Sequence, residues 1–106
     1  ILTRNMRSAT KRVIERLQIP ISLVLTREDC AAKPDPAGLY LIAEQLQVNC
    51  AEILYVGDYL FDLQVAANAG SLSCLYLNGL NQQFAAQADY QIDHFNQLPA
   101  LVSKLR

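Results

Sequence analysis

The stretch ILYVGDYLFDLQVAANAG, at residues 53–70, decides how the whole chain reads. Residues 53–56 are a continuous apolar run of strand type, closed by Gly57. Residues 60–69 carry a helical pattern, and Gly70 stands where a C′ glycine ends a helix. A strand, a tight turn and a helix in that order make half of a parallel β/α unit. The turn presents Asp58 at the carboxyl end of the strand, and Asp62 lies one helical turn further along the same side. Two carboxylates that close repel unless a cation or a lysine lies between them. Oxygen ligands of this kind suit Mg²⁺, which takes one or two carboxylates plus waters and phosphate oxygens. The same spacing is also met if Asp58 N-caps the helix and Asp62 is a solvated acid in its first turn. Spacing alone leaves both readings open.

Working outward, the alternation of strand and helix continues on both sides. Ile1 and Leu2 read as the end of a strand, and the start ILTRN, without Met, reads as the continuation of a chain that begins further upstream. Residues 7–17 predict a helix with Met6, Val13, Ile14 and Leu17 on one side and Arg12, Glu15 and Arg16 on the other. Pro20 ends it, and residues 21–25 predict a short buried strand. A polar loop over 26–35 closes in KPDP, where Asp35 is placed to N-cap a helix over 37–46 and Pro36 to occupy its first position. Beyond Gly70 come a strand over 72–77, a short helix over 82–87, a strand over 90–92 and a closing helix over 96–105. This pattern predicts an α/β fold with a mostly parallel sheet. In such sheets ligands bind beyond the carboxyl ends of the strands. Thr3-Arg4-Asn5, Lys33 and Gly57-Asp58 all fall at those ends or just before a helix, so a sheet can gather them at one edge.

Composition narrows the function classes. At 106 residues there is room for one domain, and 52% hydrophobic against 18% charged residues makes it globular rather than disordered. Nine Lys and Arg against ten Asp and Glu, in no block, give no field that gathers nucleic acid or an anionic membrane. No apolar run approaches the roughly 18 residues that span a bilayer, and no signal peptide is visible, so a cytoplasmic location is expected. Cys30, Cys50 and Cys74 are spaced as neither a zinc site nor a disulfide frame, and read as neutral thiols in a reducing compartment.

Each polar position has its own chemistry. Lys33 stands on a backbone stiffened by Pro34 and Pro36, beside a helix N-terminus, which together suit an anion such as phosphate. An exposed loop lysine is the commoner use of such a residue. Thr3 and the N–H groups after it can bind a phosphate oxygen, or serve as an N-cap or turn. His94, the one histidine, reads as a surface turn residue, and Tyr55, Tyr59 and Phe61 read as core and cleft wall.

In sequence order, ILTRN, KPDP and GDYLFD resemble motifs two, three and four of the haloacid dehalogenase-like hydrolase superfamily, most closely its phosphoglycolate-phosphatase-like branch. The resemblance extends to AANAG and to ADYQIDHFNQLPALV, and so covers nearly the whole chain. It implies a Rossmann-like three-layer sandwich and a Mg²⁺-dependent phosphatase that works on a small phosphorylated metabolite through an aspartyl-phosphate. By this resemblance Thr3, Arg4 and Asn5 hold the substrate's phosphate, Lys33 neutralises phosphoryl group and nucleophile, Asp58 binds Mg²⁺, and Asp62 orients Lys33 or a metal-bound water. The chain departs from the pattern in one respect: the motif-one strand ending Asp-x-Asp, which carries the nucleophile, is absent. Residues 1–106 are therefore expected to be the downstream part of a core domain, without the cap domain that selects substrate, and inactive alone. Because the family's motif-one strand lies between the strands of motifs two and four, the sheet is expected to show an apolar gap there, or another segment filling it. A phosphomutase, a metal-free dehalogenase and a non-catalytic binding module of the same superfamily are the alternatives. Paired acids at Asp58 and Asp62 argue against the dehalogenase.

Overall fold

The computed structural model describes residues 1–106. Helix α1 spans Arg7–Leu17, α2 Ala37–Leu46, α3 Leu60–Ala69 and α4 Leu98–Leu105. Strands β1 (Leu54–Gly57), β2 (Leu72–Tyr76) and β3 (Tyr90–Ile92) form one parallel sheet in that order. The register sets Leu54 beside Leu72 and Gly57 beside Leu75, then Cys74 beside Tyr90. Parallel neighbours need a crossover, and α3 supplies it between β1 and β2. Short 3₁₀ turns at Gln82–Gln87 and Phe95–Gln97 stand where the sequence pattern predicts helix, the second running straight into α4.

The core sits on one face of β1. Leu39 of α2 and Val65 and Ala69 of α3 are buried together, with Leu2, Ile42, Ile53 and Tyr55 packed against them. Strand alternation turns Leu54 to the other face, where it and Leu72 line a groove with Val102 and Leu105 of α4. Helix ends follow from local chemistry. Asp35 Oδ1 accepts from the Ala37 N–H at 2.8 Å, so the carboxylate caps α2 across Pro36, whose backbone is already helical. Gly70 closes α3 at φ 77°, a left-handed position that glycine adopts without Cβ strain.

One expectation fails on the N-terminal side. Residues 21–25 do not form a regular strand: a single parallel bridge joins Leu2 to Leu25, with the Thr3 N–H donating to the Leu25 carbonyl at 3.0 Å. Ile21 is exposed, because an apolar run becomes a strand only when a neighbour pairs along it. The apolar side of α1 is likewise uncovered: Val13 and Leu17 are exposed, and only Thr10 of this helix is buried. The helix start is held instead by Arg7, whose guanidinium pairs with Asp29, while Asp29 Oδ2 accepts from the Thr26 N–H (2.7 Å) and hydroxyl (2.9 Å).

Between Ile1-Leu2 and the outer edge of β1 lies a groove of about 480 Å³ with an all-hydrophobic lining. It stands where the apolar gap is expected, between the Leu2–Leu25 bridge and the sheet. Only 17 of 106 residues are buried, a thin core for a chain of this composition.

The turn from β1 into α3 is the part of the fold that builds the site. Asp62, buried in the first turn of α3, accepts at Oδ2 from the backbone N–H groups of Asp58 (3.1 Å) and Tyr59 (3.2 Å). Its carboxylate thus caps its own helix from inside. Gly57 is required by that arrangement, since a Cβ at this position would overlap the Asp62 carboxyl group.

Two outcomes are expected. Residues 1–106 expressed alone will be insoluble or molten; a sharp, dispersed amide NMR spectrum with cooperative melting would contradict this. In the protein that carries this chain, Gly57→Ala will lower the stability measured by urea denaturation by about 1–3 kcal/mol, as overpacked sites do. An unchanged midpoint would show that Asp62 can move aside freely.

Candidate active site

Lys33 and Asp62 come together although 29 residues separate them. The ammonium donates to Asp62 Oδ1 at 2.7 Å, and both side chains are largely buried, at 13% and 10% exposed. A charge removed from water must be paired, and here each ion compensates the other. The Tyr55 hydroxyl joins them, accepting from Lys33 Nζ at 3.1 Å and lying 3.4 Å from Asp62 Oδ1. Both oxygens of Asp62 are thereby committed, one to the Lys33–Tyr55 pair and one to the α3 N–H groups.

Charge on Lys33 is opposed by burial and favoured by its bonds to Asp62 and Tyr55. The partners prevail, and the pKa rises above its ordinary 10.5. For a cation with a raised folded-state pKa, the stability gained is complete below the unfolded value and is lost only as pH climbs through the folded one. The Lys33 ammonium therefore keeps its charge throughout the neutral range. Burial also pushes the Tyr55 phenol up, so its hydroxyl keeps its proton there.

The loop that carries Lys33 is tied down from α3: the Asn68 amide donates to the Pro34 carbonyl at 3.0 Å. Thr3, Arg4 and Lys33 line one narrow cleft at the end of the Leu2–Leu25 bridge. Thr3 Oγ1 accepts from the Asn5 N–H at 3.2 Å, which fixes the turn and leaves the hydroxyl proton free to donate. Arg4 has no carboxylate partner and lies over the Phe61 ring at 5.7 Å from its centroid. Asn5 is exposed, and its part in the turn is played by the backbone.

Asp58 and Asp62 divide the roles differently from the capping reading of the sequence. The capping acid is Asp62, which is buried, and the solvated acid is Asp58, which is exposed. Asp58 is held by its backbone: its N–H donates to Asp62, and its carbonyl accepts from the Asn81 amide at 2.7 Å. No three His, Cys, Asp or Glu side chains converge to enclose a metal ion. A donor set of one free carboxylate fits one corner of a Mg²⁺ site, the rest being waters, phosphate oxygens and other groups.

Two further residues belong to the cluster, and only one of them carries a signal in the sequence. Tyr55 stands two positions before Gly57 on a strand, so period two sets it on the side that faces Asp62. Asn81, 3% exposed, bridges the Asp58 and Tyr76 carbonyls, and nothing in its neighbourhood of the sequence marks it. His94 is exposed and its Nδ1 accepts from the Asn96 N–H, a turn role. All three cysteines are free thiols, and burial raises the pKa of Cys30 and Cys74.

Comparison with known proteins agrees with this geometry. The family described as haloacid dehalogenase-like hydrolase matches residues 1–75. A phosphoglycolate phosphatase of Pectobacterium atrosepticum is 35% identical over 85 residues, covering 76% of this chain and 36% of that protein. An uncharacterized hydrolase of Saccharomyces cerevisiae is 26% identical over 99% of this chain and 52% of its own length. Thus the chain spans about half or less of the curated relatives it matches. Among solved structures, a haloacid dehalogenase-like hydrolase of Bacteroides fragilis superposes with TM-score 0.80 at 30% identity, over 92% of this chain and 50% of that one. A haloacid dehalogenase-like protein of Agrobacterium tumefaciens gives 0.85 at 17% identity, over 99% and 53%, and shows the fold. From the order of the motifs and the family match over residues 1–75, the chain belongs to the haloacid dehalogenase-like hydrolase superfamily.

Proposed function

We propose that this chain is the downstream part of the core of a Mg²⁺-dependent phosphatase, which cleaves a small phosphorylated metabolite through an aspartyl-phosphate. The observation that carries the reading is the buried Lys33 ammonium, held by Asp62 beside the cleft that Thr3 and Arg4 share. Phosphoryl transfer asks a protein chiefly for positioning and for fixed positive charge against the spreading negative charge of the transition state. Lys33 has one N–H uncommitted to protein and meets the phosphoryl oxygens with it. The Thr3 hydroxyl and the N–H groups of the following turn hold a further phosphate oxygen. Arg4, free of any carboxylate, adds positive charge at the same rim. Asp58 is the carboxylate that would hold Mg²⁺, and the metal, when bound, would offset charge on the phosphoryl oxygens.

The covalent step belongs to a carboxylate that residues 1–106 do not include. An aspartate supplied upstream attacks phosphorus, its new P–O bond forming as the bond to the alcohol oxygen breaks and the alcohol takes up a proton. Water then cleaves the acyl phosphate, releasing inorganic phosphate and the free carboxylate. The name of the Pectobacterium relative supports a phosphomonoester as substrate. The partner expected is thus a small metabolite rather than nucleic acid or a membrane: no helix is long and apolar enough to cross a bilayer, and the net charge is −1. Three unpaired thiols support a reducing compartment such as the cytoplasm.

The test is hydrolysis of p-nitrophenyl phosphate by the full-length protein, with Mg²⁺ and with the metal chelated. Activity is expected only with Mg²⁺, and Asp58→Asn is expected to lower it by roughly 10²-fold or more. Hydrolysis that survives chelation, or an Asp58→Asn variant as active as the parent, would overturn the metal assignment. A protein inert towards phosphomonoesters in Mg²⁺ would favour a binding role.

A further inference from the structure

Tyr55 reads as core in the sequence, and its ring does pack against the Leu39–Val65–Ala69 cluster. Its hydroxyl is another matter, since that atom lies inside the charged cluster. It accepts from Lys33 Nζ at 3.1 Å and has Asp62 Oδ1 at 3.4 Å and the Leu2 carbonyl at 3.5 Å. A phenol carries one proton and accepts through oxygen, so it can take one N–H from Lys33 and give its proton to Asp62 or Leu2. Leu2 immediately precedes Thr3. The one hydroxyl therefore touches the lysine, the acid that pairs with it and the backbone leading to the phosphate-binding turn.

We propose that Tyr55 is a positioning residue for Lys33, fixing the direction of the one N–H the ammonium keeps for the phosphoryl group. The inference rests on the phosphatase reading above. An ammonium held by a single carboxylate can swing about that bond. A second acceptor at a fixed angle removes this freedom, because the three N–H bonds are rigidly tetrahedral. With Asp62 and Tyr55 each taking one, the third is left for the cleft that Lys33 shares with Thr3 and Arg4. Charge aimed in advance costs no reorganisation when the transition state forms, and that makes the second acceptor matter for rate more than for binding. The raised pKa of Lys33 agrees with two partners acting on one cation.

The experiment compares the full-length protein with its Tyr55→Phe variant, which keeps the ring and its packing and removes only the hydroxyl. With p-nitrophenyl phosphate and Mg²⁺, kcat is expected to fall about tenfold to a hundredfold, the range for losing a hydrogen bond to a charged group, with KM changed much less. A residue with a purely structural role would lower Tm and leave the kcat of the folded enzyme intact. In a Lys33→Ala background the same substitution is expected to cost nothing further, since the hydroxyl acts through the lysine. The Lys33 ¹⁵Nζ resonance supplies a readout independent of turnover, and it should shift and broaden in Tyr55→Phe. Unchanged kcat in the single variant, equal losses in both backgrounds, or an unmoved Lys33 resonance would each overturn the proposal. A wild-type protein that hydrolyses no phosphomonoester, but whose Lys33 resonance still responds to Tyr55→Phe, would sink the phosphatase reading and the catalytic part of this one. The contact itself would stand.

Discussion

A buried carboxylate governs this fold. Asp62 is withdrawn from water with a full negative charge, and such a group stays folded only if every lone pair is answered. Four donors answer it: the Lys33 ammonium, the Tyr55 hydroxyl and the N–H groups of Asp58 and Tyr59. Those donors come from a loop, a strand and a helix start, so meeting the needs of one side chain fixes three elements relative to each other. Removing one partner from a buried pair of this kind typically costs about 3–5 kcal/mol, because the other charge is stranded. Gly57 belongs to the same constraint. The carboxylate occupies the space where its side chain would stand.

That constraint also sorts the charges at the sheet edge. Lys33 and Asp62 cancel each other inside, while Asp58 stays outside with its carboxylate uncommitted and its backbone held by Asp62 and Asn81. Arg4 lies over an aromatic ring and keeps its charge without an acid beside it. Two aspartates four positions apart thus do unlike work, one as a buried structural anion and one as a solvent-facing carboxylate. Alike in the sequence, they differ because the helix turns Asp62 inward beneath the glycine and leaves Asp58 on the turn.

Much of this architecture is legible in the residues. The apolar run to Gly57, the helix to Gly70 and the Asp35-Pro36 helix start are local patterns, and their chemistry depends on few distant contacts. The order of ILTRN, KPDP and GDYLFD gives the family. What escapes is what depends on partners far along the chain. Residues 21–25 are apolar enough for a strand, yet they form one only where Leu25 meets Leu2. The stripe on α1 is amphipathic, yet periodicity does not say whether anything packs on it. The capping roles of Asp58 and Asp62 exchange because Lys33, 29 residues away, draws one of them inward. Tyr55 and Asn81 look like ordinary strand and loop residues, and their hydrogen bonds reach across 22 and 23 positions.

The outer edge of β1 joins stability to chemistry. On one side β1 pairs with β2; on the other it faces an apolar groove bounded by Ile1 and Leu2. An exposed edge with hydrophobic flanks is costly in water, so a segment that covered it would add to the core. Strands advance about 3.3 Å per residue, and β1 ends at Gly57, directly before Asp58. A segment lying parallel to β1 in that groove would run toward Asp58 and the cleft of Thr3 and Lys33. On the phosphatase reading, that is where the attacking aspartate must stand. On that reading, filling the groove would also complete the active site.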